Sequence, residues 1–520
     1  MLVPARSDAA VAARTFRALR LASSPAETWL VAGLIGAGAW LRFATLSAQS
    51  YWFDEAQAAH ELHLSFGSML SAMVAKETNP PLYFVLGWLW ARVFGTGEVG
   101  LRSLSALAGT AVIMLAYLCG RELVSRRAGL VAAALVAFNP FMIWYSQEAR
   151  EYMLLAALSG ASFLFFARAW RDPSSRNIVW WTVFSALAVL THFFASFLVA
   201  AEAVWLLYVI RNRAIVIAAG VVAAVQATLL PLLFTHATSS LLGFIGSTPL
   251  SGRIQQVPVA FGLGSLSDGP AVRYGLLGAA VLVAALILLL VIGADNRQLR
   301  GAGAAAAMAA AVLLVPLVFA LLGEDFYIDR ALIPAWIPLA VVVGAACTAP
   351  RAQLAGGALA VVLLASFVYA QIQIDGSPQY QRPDWRGVAR ALGPGVDGTG
   401  SRAIVAYDGG LATDPLAIYL PGVSWSQIYL AGQSSTERAG PVRVGEVDVV
   451  GHTWQAVARP LPAGVRLIGS RVVDDFLVDR FSIAPARRLT PVQIADLAPR
   501  LLGPGTSGPA VLVQSRGSTA

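Results

Sequence analysis

The chain has 520 residues, of which 57% are hydrophobic and 13% charged, and its mean hydropathy is +0.66. Soluble proteins carry about 25% charged residues, so this composition excludes an ordinary globular protein and points to an integral membrane protein with many spans. The net charge of +8 reads as membrane orientation rather than nucleic-acid binding, because the basic residues are almost all Arg and no basic patch is interleaved with aromatics. Cys119 and Cys347 lie in apolar segments, which leaves no disulfide scaffold and no cysteine metal cluster.

Residues 1–27 carry Arg6, Arg14, Arg17 and Arg20 and read as a cytoplasmic tail. Thr28 to Leu46 is the first expected span, so Asp54 and Glu55 emerge on the opposite face. Residues 56–75 place Leu62, Phe66, Met69, Leu70 and Met73 at helical spacing and predict one amphipathic helix in the interface. Residues 80–94 are apolar but short for a span, which needs about 20 residues. Keeping them outside places Arg121, Arg126, Arg127, Arg168, Arg171, Arg176, Arg211, Arg213, Arg297, Arg300 and Arg351 inside, as the positive-inside rule asks. One large outer loop, 47–100, then holds two interfacial helices.

Further spans are expected at 101–120, 128–145, 151–170, 178–192, 193–210, 214–235, 272–293, 302–322, 331–347 and 353–371, making about 11 in all at bilayer lengths. The expected fold is an α-helical polytopic membrane protein whose membrane domain covers 28–371. Beyond Ile372 the composition shifts to Gly, Pro, Asp and Arg, and 372–520 reads as an extracytoplasmic α/β domain. Ala403–Tyr407, Val472–Val478 and Ala510–Val513 are expected strands, with Asp474-Asp475 in the second. Asp384 is placed to cap a helix through Leu392. Thr490-Pro491-Val492-Gln493 has a capping-box pattern, and Gly503 is a stop.

The outer face collects an unusual set of polar residues: Arg42, Asp54, Glu55, His60, Lys76, Arg102, Gln147, Glu148, Arg150, Tyr152 and His192, with Glu324, Asp325, Tyr327, Asp329 and Arg330 in a later outer turn. Charges near the hydrocarbon boundary are costly unless they pair or line a wet cavity. The chemistry suggested is glycosyl transfer. An acceptor hydroxyl loses its proton as it attacks an anomeric carbon, and Asp54 is placed as the base. A lipid phosphate as leaving group needs Arg, Lys or a metal ion. Each residue also has a structural reading. Asp54 with Gln57 forms a capping pair, Glu55 is a solvated interfacial charge, and the arginines snorkel. His192 and Glu202 make helix contacts. Asn79-Pro80-Pro81 is a turn that starts the second interfacial helix.

Arg42, Tyr51-Trp52-Phe53-Asp54-Glu55-Ala56, Asn79-Pro80-Pro81-Leu82, Arg102, Tyr145 to Tyr152 and Tyr327 to Pro334 together resemble the GT-C glycosyltransferases, in the branch with the protein O-mannosyltransferases and lipid A aminoarabinose transferases. The resemblance runs over residues 28–385 and includes Asp384-Trp385-Arg386. It implies an inverting enzyme of the bacterial inner (plasma) membrane, acting on the extracytoplasmic face with a polyprenyl-phosphate-linked sugar. Asp54 matches the family's base and Glu55 its companion. Arg42 and Arg102 match arginines near the donor phosphate, and Gln147, Glu148, Arg150 and Tyr152 line the cavity. Lys76, His192, Tyr327 and Arg330 complete the expected binding set. A divalent cation stays open, with Asp54, Glu55 and Glu148 as its ligands. Asn79 stands where protein mannosyltransferases tend to have His, which argues against a protein acceptor; glycan, lipid and protein remain open. A lipid-linked glycan polymerase or ligase is the alternative within the fold, and a transporter or flippase the alternative outside it.

Overall fold

The computed structural model describes residues 25–77, 79–232, 245, 248–266, 271–394, 401–407, 410–430, 434–455, 460–503 and 509–514. The arginines expected in the N-terminal tail lie outside the described residues. The helices of the first two-thirds are α1 (Pro25–Phe43), α2 (Phe53–His63), α3 (Phe66–Lys76), α4 (Leu82–Phe94), α5 (Glu98–Leu123), α6 (Arg126–Phe138), α7 (Pro140–Ser146) and α8 (Tyr152–Arg171). There follow α9 (Ser175–Thr191), α10 (Ala195–Ile210), α11 (Arg213–Ala227), α12 (Leu250–Leu263), α13 (Ala271–Gly293), α14 (Asn296–Leu321), α15 (Trp336–Cys347) and α16 (Gln353–Gly376). The C-terminal third contains α17 (Trp385–Leu392), β1 (Ser401–Ala406), α18 (Gly410–Tyr419), β2 (Val423–Leu430), α19 (Ser434–Arg438), β3 (Val442–His452), β4 (Val465–Val473), β5 (Phe476–Leu489), α20 (Pro491–Leu502) and β6 (Ala510–Gln514).

Among the described residues, seven helices are long and apolar enough to cross a membrane, and the α6–α7 pair makes an eighth if it counts as one span. The protein is therefore a multi-pass membrane protein. The expected number of spans is larger than this. The difference lies in α1, which carries Glu27 and Arg42, and in α9 and α10, which have 17 and 16 residues.

The chain divides into two compact units. One holds Met1–Ala44, Ala106–Ser146 and Tyr152–Ala370; the other holds Thr45–Ser105, Gln147–Glu151 and Gln371–Ala520. In the first, small residues let helices approach closely. A methyl group added at Gly120 would sit 2.7 Å from the Cα of Gly129, and one at Gly344 would sit 2.5 Å from the carbonyl of Ala128. The expected span 128–145 is not one straight helix. It bends by 59° between α6 and α7. The cause is Pro140, which has no N–H to give the carbonyl of Val136. Arg42 replaces it. Its guanidinium donates to Val136 O (2.9 Å), Ala137 O (3.0 Å), Gly38 O (2.9 Å) and Ser146 Oγ (3.0 Å). Arg42 is fully buried, so the snorkelling reading does not apply to it. Arg42→Met is expected to lower stability by about 2–6 kcal/mol, since each of the two orphaned carbonyls costs about 1–3. An unchanged thermal midpoint in detergent would show that the bend stands without it.

In the second unit the six strands form one sheet in the order β2-β6-β1-β3-β5-β4, with β1 and β3 parallel. Alternation along β1 explains its two covered faces. Ile404 and Ala406 join a core with Trp385, Leu392 and Leu416, while Ala403 and Val405 join another with Phe481, Ile494 and Leu501. Asp384 caps α17 through the Gly387 N–H (2.8 Å), Thr490 and Gln493 form the capping box of α20, and Gly503 ends it. Two expectations are corrected. Val472–Val478 is not a strand but the hairpin between β4 and β5, because Asp474 turns the chain at φ +50° and Asp474-Asp475 form its tip. Residues 56–75 are not one helix but α2 and α3, because Ser65 accepts from the Ser68 N–H and starts a new one. The loop 47–100 thus holds three helices.

Candidate active site

α2 starts after extended Trp52, and its buried stripe is Ala56, Ala58, Ala59 and Leu62. Asp54 and Glu55 occupy its first turn, where unsatisfied N–H groups and the helix dipole favour negative charge. Their surroundings differ. Asp54 is half-buried, whereas Glu55 is completely enclosed. The capping reading of Asp54 with Gln57 does not hold. No side chain caps α2, and the Gln57 amide donates to Glu77 (3.2 Å) and Glu61 (3.4 Å).

Glu55 is not a solvated charge. Arg102 grips it with two bonds (Nε to Oε1, 2.8 Å; Nη2 to Oε2, 2.7 Å), and the Ala149 N–H adds a third at 2.8 Å. Burial opposes the charge on Glu55. The Arg102 and Arg382 guanidiniums and these hydrogen bonds outweigh burial and hold its carboxyl below the ordinary 4.5. The remaining donors of Arg102 go to the carbonyls of Leu46 (2.7 Å), Gln49 (2.7 Å) and Ser50 (3.0 Å), and the guanidinium lies over the Tyr51 ring. One buried arginine therefore shapes the whole approach to α2.

Arg150 plays a parallel part. It pairs with Glu77 (3.0 Å) and Glu151 (3.1 Å), and reaches the backbone carbonyl of Asp54 at 3.5 Å. Burial would strip its proton, but Glu151, Glu77 and Asp54 together hold it charged. Asn79 donates to Glu151 at 2.7 Å, so the Asn79-Pro80-Pro81 turn also fastens the turn at residues 147–151. In that turn, Gln147 donates to Thr45 Oγ1 (2.7 Å), and Glu148 accepts from Arg382 (2.8 Å). Lys76 ends α3; its side chain lies outside the described residues.

The other expected residues belong to the membrane unit. Tyr152 packs its ring 6.2 Å from that of His192, and Arg330 sits over Tyr152 at 5.8 Å. His192 also accepts the Phe194 N–H on Nδ1 (3.1 Å) and so builds the tight link from α9 to α10. Tyr327 is buried, and its carbonyl accepts from Arg253 at 2.6 Å. Arg253 also pairs with Asp325, and its hydrogen bond lowers that carboxyl below its usual range. Glu202 is buried and accepts from Trp181 (2.9 Å) and Ser162, as its structural reading has it.

Glu77, Glu151, Arg253 and Arg382 are missing from the sequence-based set. Glu77, Arg253 and Arg382 meet partners 72 or more residues away, whereas Glu151 lies inside the Tyr145 to Tyr152 stretch, beside Arg150. No group of three or more His, Cys, Asp and Glu side chains among the described residues is arranged to hold a metal ion. Glu55 and Glu148, two of the three expected ligands, are taken up by Arg102 and Arg382, an arrangement that does not fit a divalent cation.

The family model for dolichyl-phosphate-mannose-protein mannosyltransferase matches residues 78–236. Among solved structures, ArnT from Cupriavidus metallidurans in the apo state is similar with a TM-score of 0.52 and 14% identity, over 88% of this chain and 98% of that one. The same protein bound to undecaprenyl phosphate gives a TM-score of 0.52 and 13% identity, over 88% and 99%. No curated protein sequence matches. Identity at this level speaks to architecture, and over 88% of its length the chain has the GT-C fold.

Proposed function

We propose that the protein is an inverting glycosyltransferase of the bacterial inner membrane. It moves a sugar from a polyprenyl-phosphate donor to an acceptor hydroxyl on the extracytoplasmic face. One observation carries this reading: two adjacent carboxylates have opposite environments. Glu55 is locked in a buried ion pair, while Asp54 stands half-buried at the start of the same helix. Environments that separate two neighbouring carboxylates assign them different roles. Asp54 is the base, and Glu55 positions it through Arg102.

In the reaction the acceptor oxygen attacks the anomeric carbon from the face opposite the phosphate. The new C–O bond forms as the bond to the phosphate oxygen breaks, the acceptor proton passes to Asp54, and polyprenyl phosphate departs. An aspartate carboxylate is a weak base, which serves when proton transfer is late and concerted with attack. Arg102 has its donors directed to carbonyls and Glu55, so its part is to shape the start of α2, while Arg42, in the membrane unit, holds the α6–α7 bend. The group formed by Arg330, Tyr152 and His192 is assigned to the lipid phosphate of the donor. The bound undecaprenyl phosphate of the ArnT structure supports a ligand of this class.

Arg330→Ala is expected to weaken binding of undecaprenyl phosphate about 10–100-fold, the loss of one charge-assisted contact. Unchanged affinity would remove Arg330 from the site. The reaction class is tested by the anomeric configuration of the product, read by NMR after turnover of polyprenyl-phosphate-linked mannose, arabinose and aminoarabinose. Inversion is expected with one of them. Retention would overturn the single displacement.

A further inference from the structure

The C-terminal α/β domain has no part in the chemistry described so far, yet its bonds converge on four residues shortly before Asp54: Ser47, Gln49, Ser50 and Tyr51. Ser50 Oγ donates to the carbonyl of Pro383 (2.8 Å) and accepts the Trp385 N–H (3.0 Å). Gln49 Oε1 accepts the Arg382 N–H (3.0 Å), and the Ser47 carbonyl accepts from Arg386 (3.1 Å). The Tyr51 N–H donates to the hydroxyl of Tyr419, at the end of α18 (2.7 Å). That hydroxyl in turn donates to Glu98, whose two oxygens also accept from Arg386 at 2.9 Å each. Further along α2, the His60 ring stacks on Trp425 of β2, with centroids 3.9 Å apart.

We propose that Arg382, Arg386 and Tyr419 are positioning residues, and that the C-terminal domain acts as a clamp that fixes where the base-bearing helix begins. The inference rests on Asp54 being the base. α2 has no side-chain cap to define its first turn, so its start is set by the chain that feeds it. Residues 47–51 are that chain. Arg102 holds its carbonyls from one side, and the tail holds its N–H of Tyr51, its Ser50 hydroxyl and its Gln49 amide from the other. Arg382 adds a second tie. Its guanidinium joins Glu148 (2.8 Å) and the Gln147 carbonyl (3.2 Å), and lies 4.0 Å from Glu55. Burial and then the Glu98 hydrogen bond keep the Tyr419 hydroxyl protonated, so it remains a donor. A catalytic group misplaced by about 1 Å loses on the order of 10²-fold in rate, which is the magnitude such a clamp controls.

The test uses the full-length protein. Arg386→Gln combined with Tyr419→Phe removes the Glu98 ties, and Arg386→Lys keeps the charge. Three quantities are read: turnover per bound donor, stoichiometry and affinity for undecaprenyl phosphate, and amide exchange over residues 47–58. The double variant should exchange faster in 47–58 and turn over about 10–100-fold more slowly, with phosphate binding unchanged. Arg386→Lys should recover most of the rate. Unaltered exchange in 47–58 would overturn the clamp whatever the turnover. A rate that falls only in step with binding stoichiometry would overturn it too, as simple loss of folded protein. A wild type that turns over no polyprenyl-phosphate sugar would instead contradict the base assignment, and the exchange measurement would still decide the clamp.

Discussion

Glu55→Ala is expected to destabilise the protein by about 3–5 kcal/mol, because it leaves the Arg102 guanidinium buried without a counter-charge. Arg102 is 1% exposed and Glu55 0%, so water cannot take over the lost contact. The effect has a signature that separates the pair from ordinary packing. Replacing both members by apolar residues is often close to neutral, so Glu55→Ala with Arg102→Met should recover part of the stability lost in Glu55→Ala alone. Turnover should stay low in the double variant, because the carbonyls of Leu46, Gln49 and Ser50 lose their donor. The pH dependence follows from the sign of the shift. Glu55 is held below 4.5 in the folded state, so the unfolded chain takes up its proton at higher pH than the folded one. The stability from this pair is therefore present above the unfolded value. It is lost as pH falls through the folded value, and wild type and Glu55→Ala should converge in acid. Thermal midpoints of both proteins across pH 3–7 in detergent check this; a constant gap would show that Glu55 acts through packing alone.

Asp54→Asn is expected to lower turnover by about 10²–10⁴-fold, the usual contribution of a positioned general base. The amide keeps the shape of the side chain and its place in the first turn of α2, but it cannot accept the proton. Fold and donor binding should be retained, since Arg102 keeps Glu55, and Arg150 keeps Glu77 and Glu151, as buried ion-pair partners when the Asp54 charge is removed. Asp54→Asn removes chemistry and leaves stability, and Glu55→Ala removes both. Wild-type turnover in Asp54→Asn would end the assignment.

The sequence made the membrane architecture readable because long apolar runs and flanking arginines need no tertiary information. Local caps were readable for the same reason: Asp384, Thr490 and Gly503 act within one turn of themselves. The breaks were harder to see. The hydrophobic spacing of 56–75 runs on past Ser65, where a hydroxyl cap restarts the helix. The apolar run 472–478 crosses Asp474, whose positive φ is a property of the hairpin. The proline at 140 was visible, but not the arginine from α1 that satisfies the carbonyl it orphans. For the candidate site, Asp54, Glu55, Arg102, Glu148 and Arg150 could be chosen because charges in such a setting are rare. Their partners could not. Arg382 meets Glu148 across 234 residues, and Glu77 meets Arg150 across 73, separations at which no periodicity survives. Hence arginines that look alike in sequence, as if all were free to meet a phosphate, turn out to hold backbone and carboxylates.

The central claim is most directly tested by measuring binding and turnover in parallel for wild type and Asp54→Asn in nanodiscs, over polyprenyl-phosphate-linked mannose, arabinose and aminoarabinose. The expected result is one donor that binds both proteins and is consumed only by wild type. A donor consumed equally by both proteins, or a panel that binds neither, would contradict it.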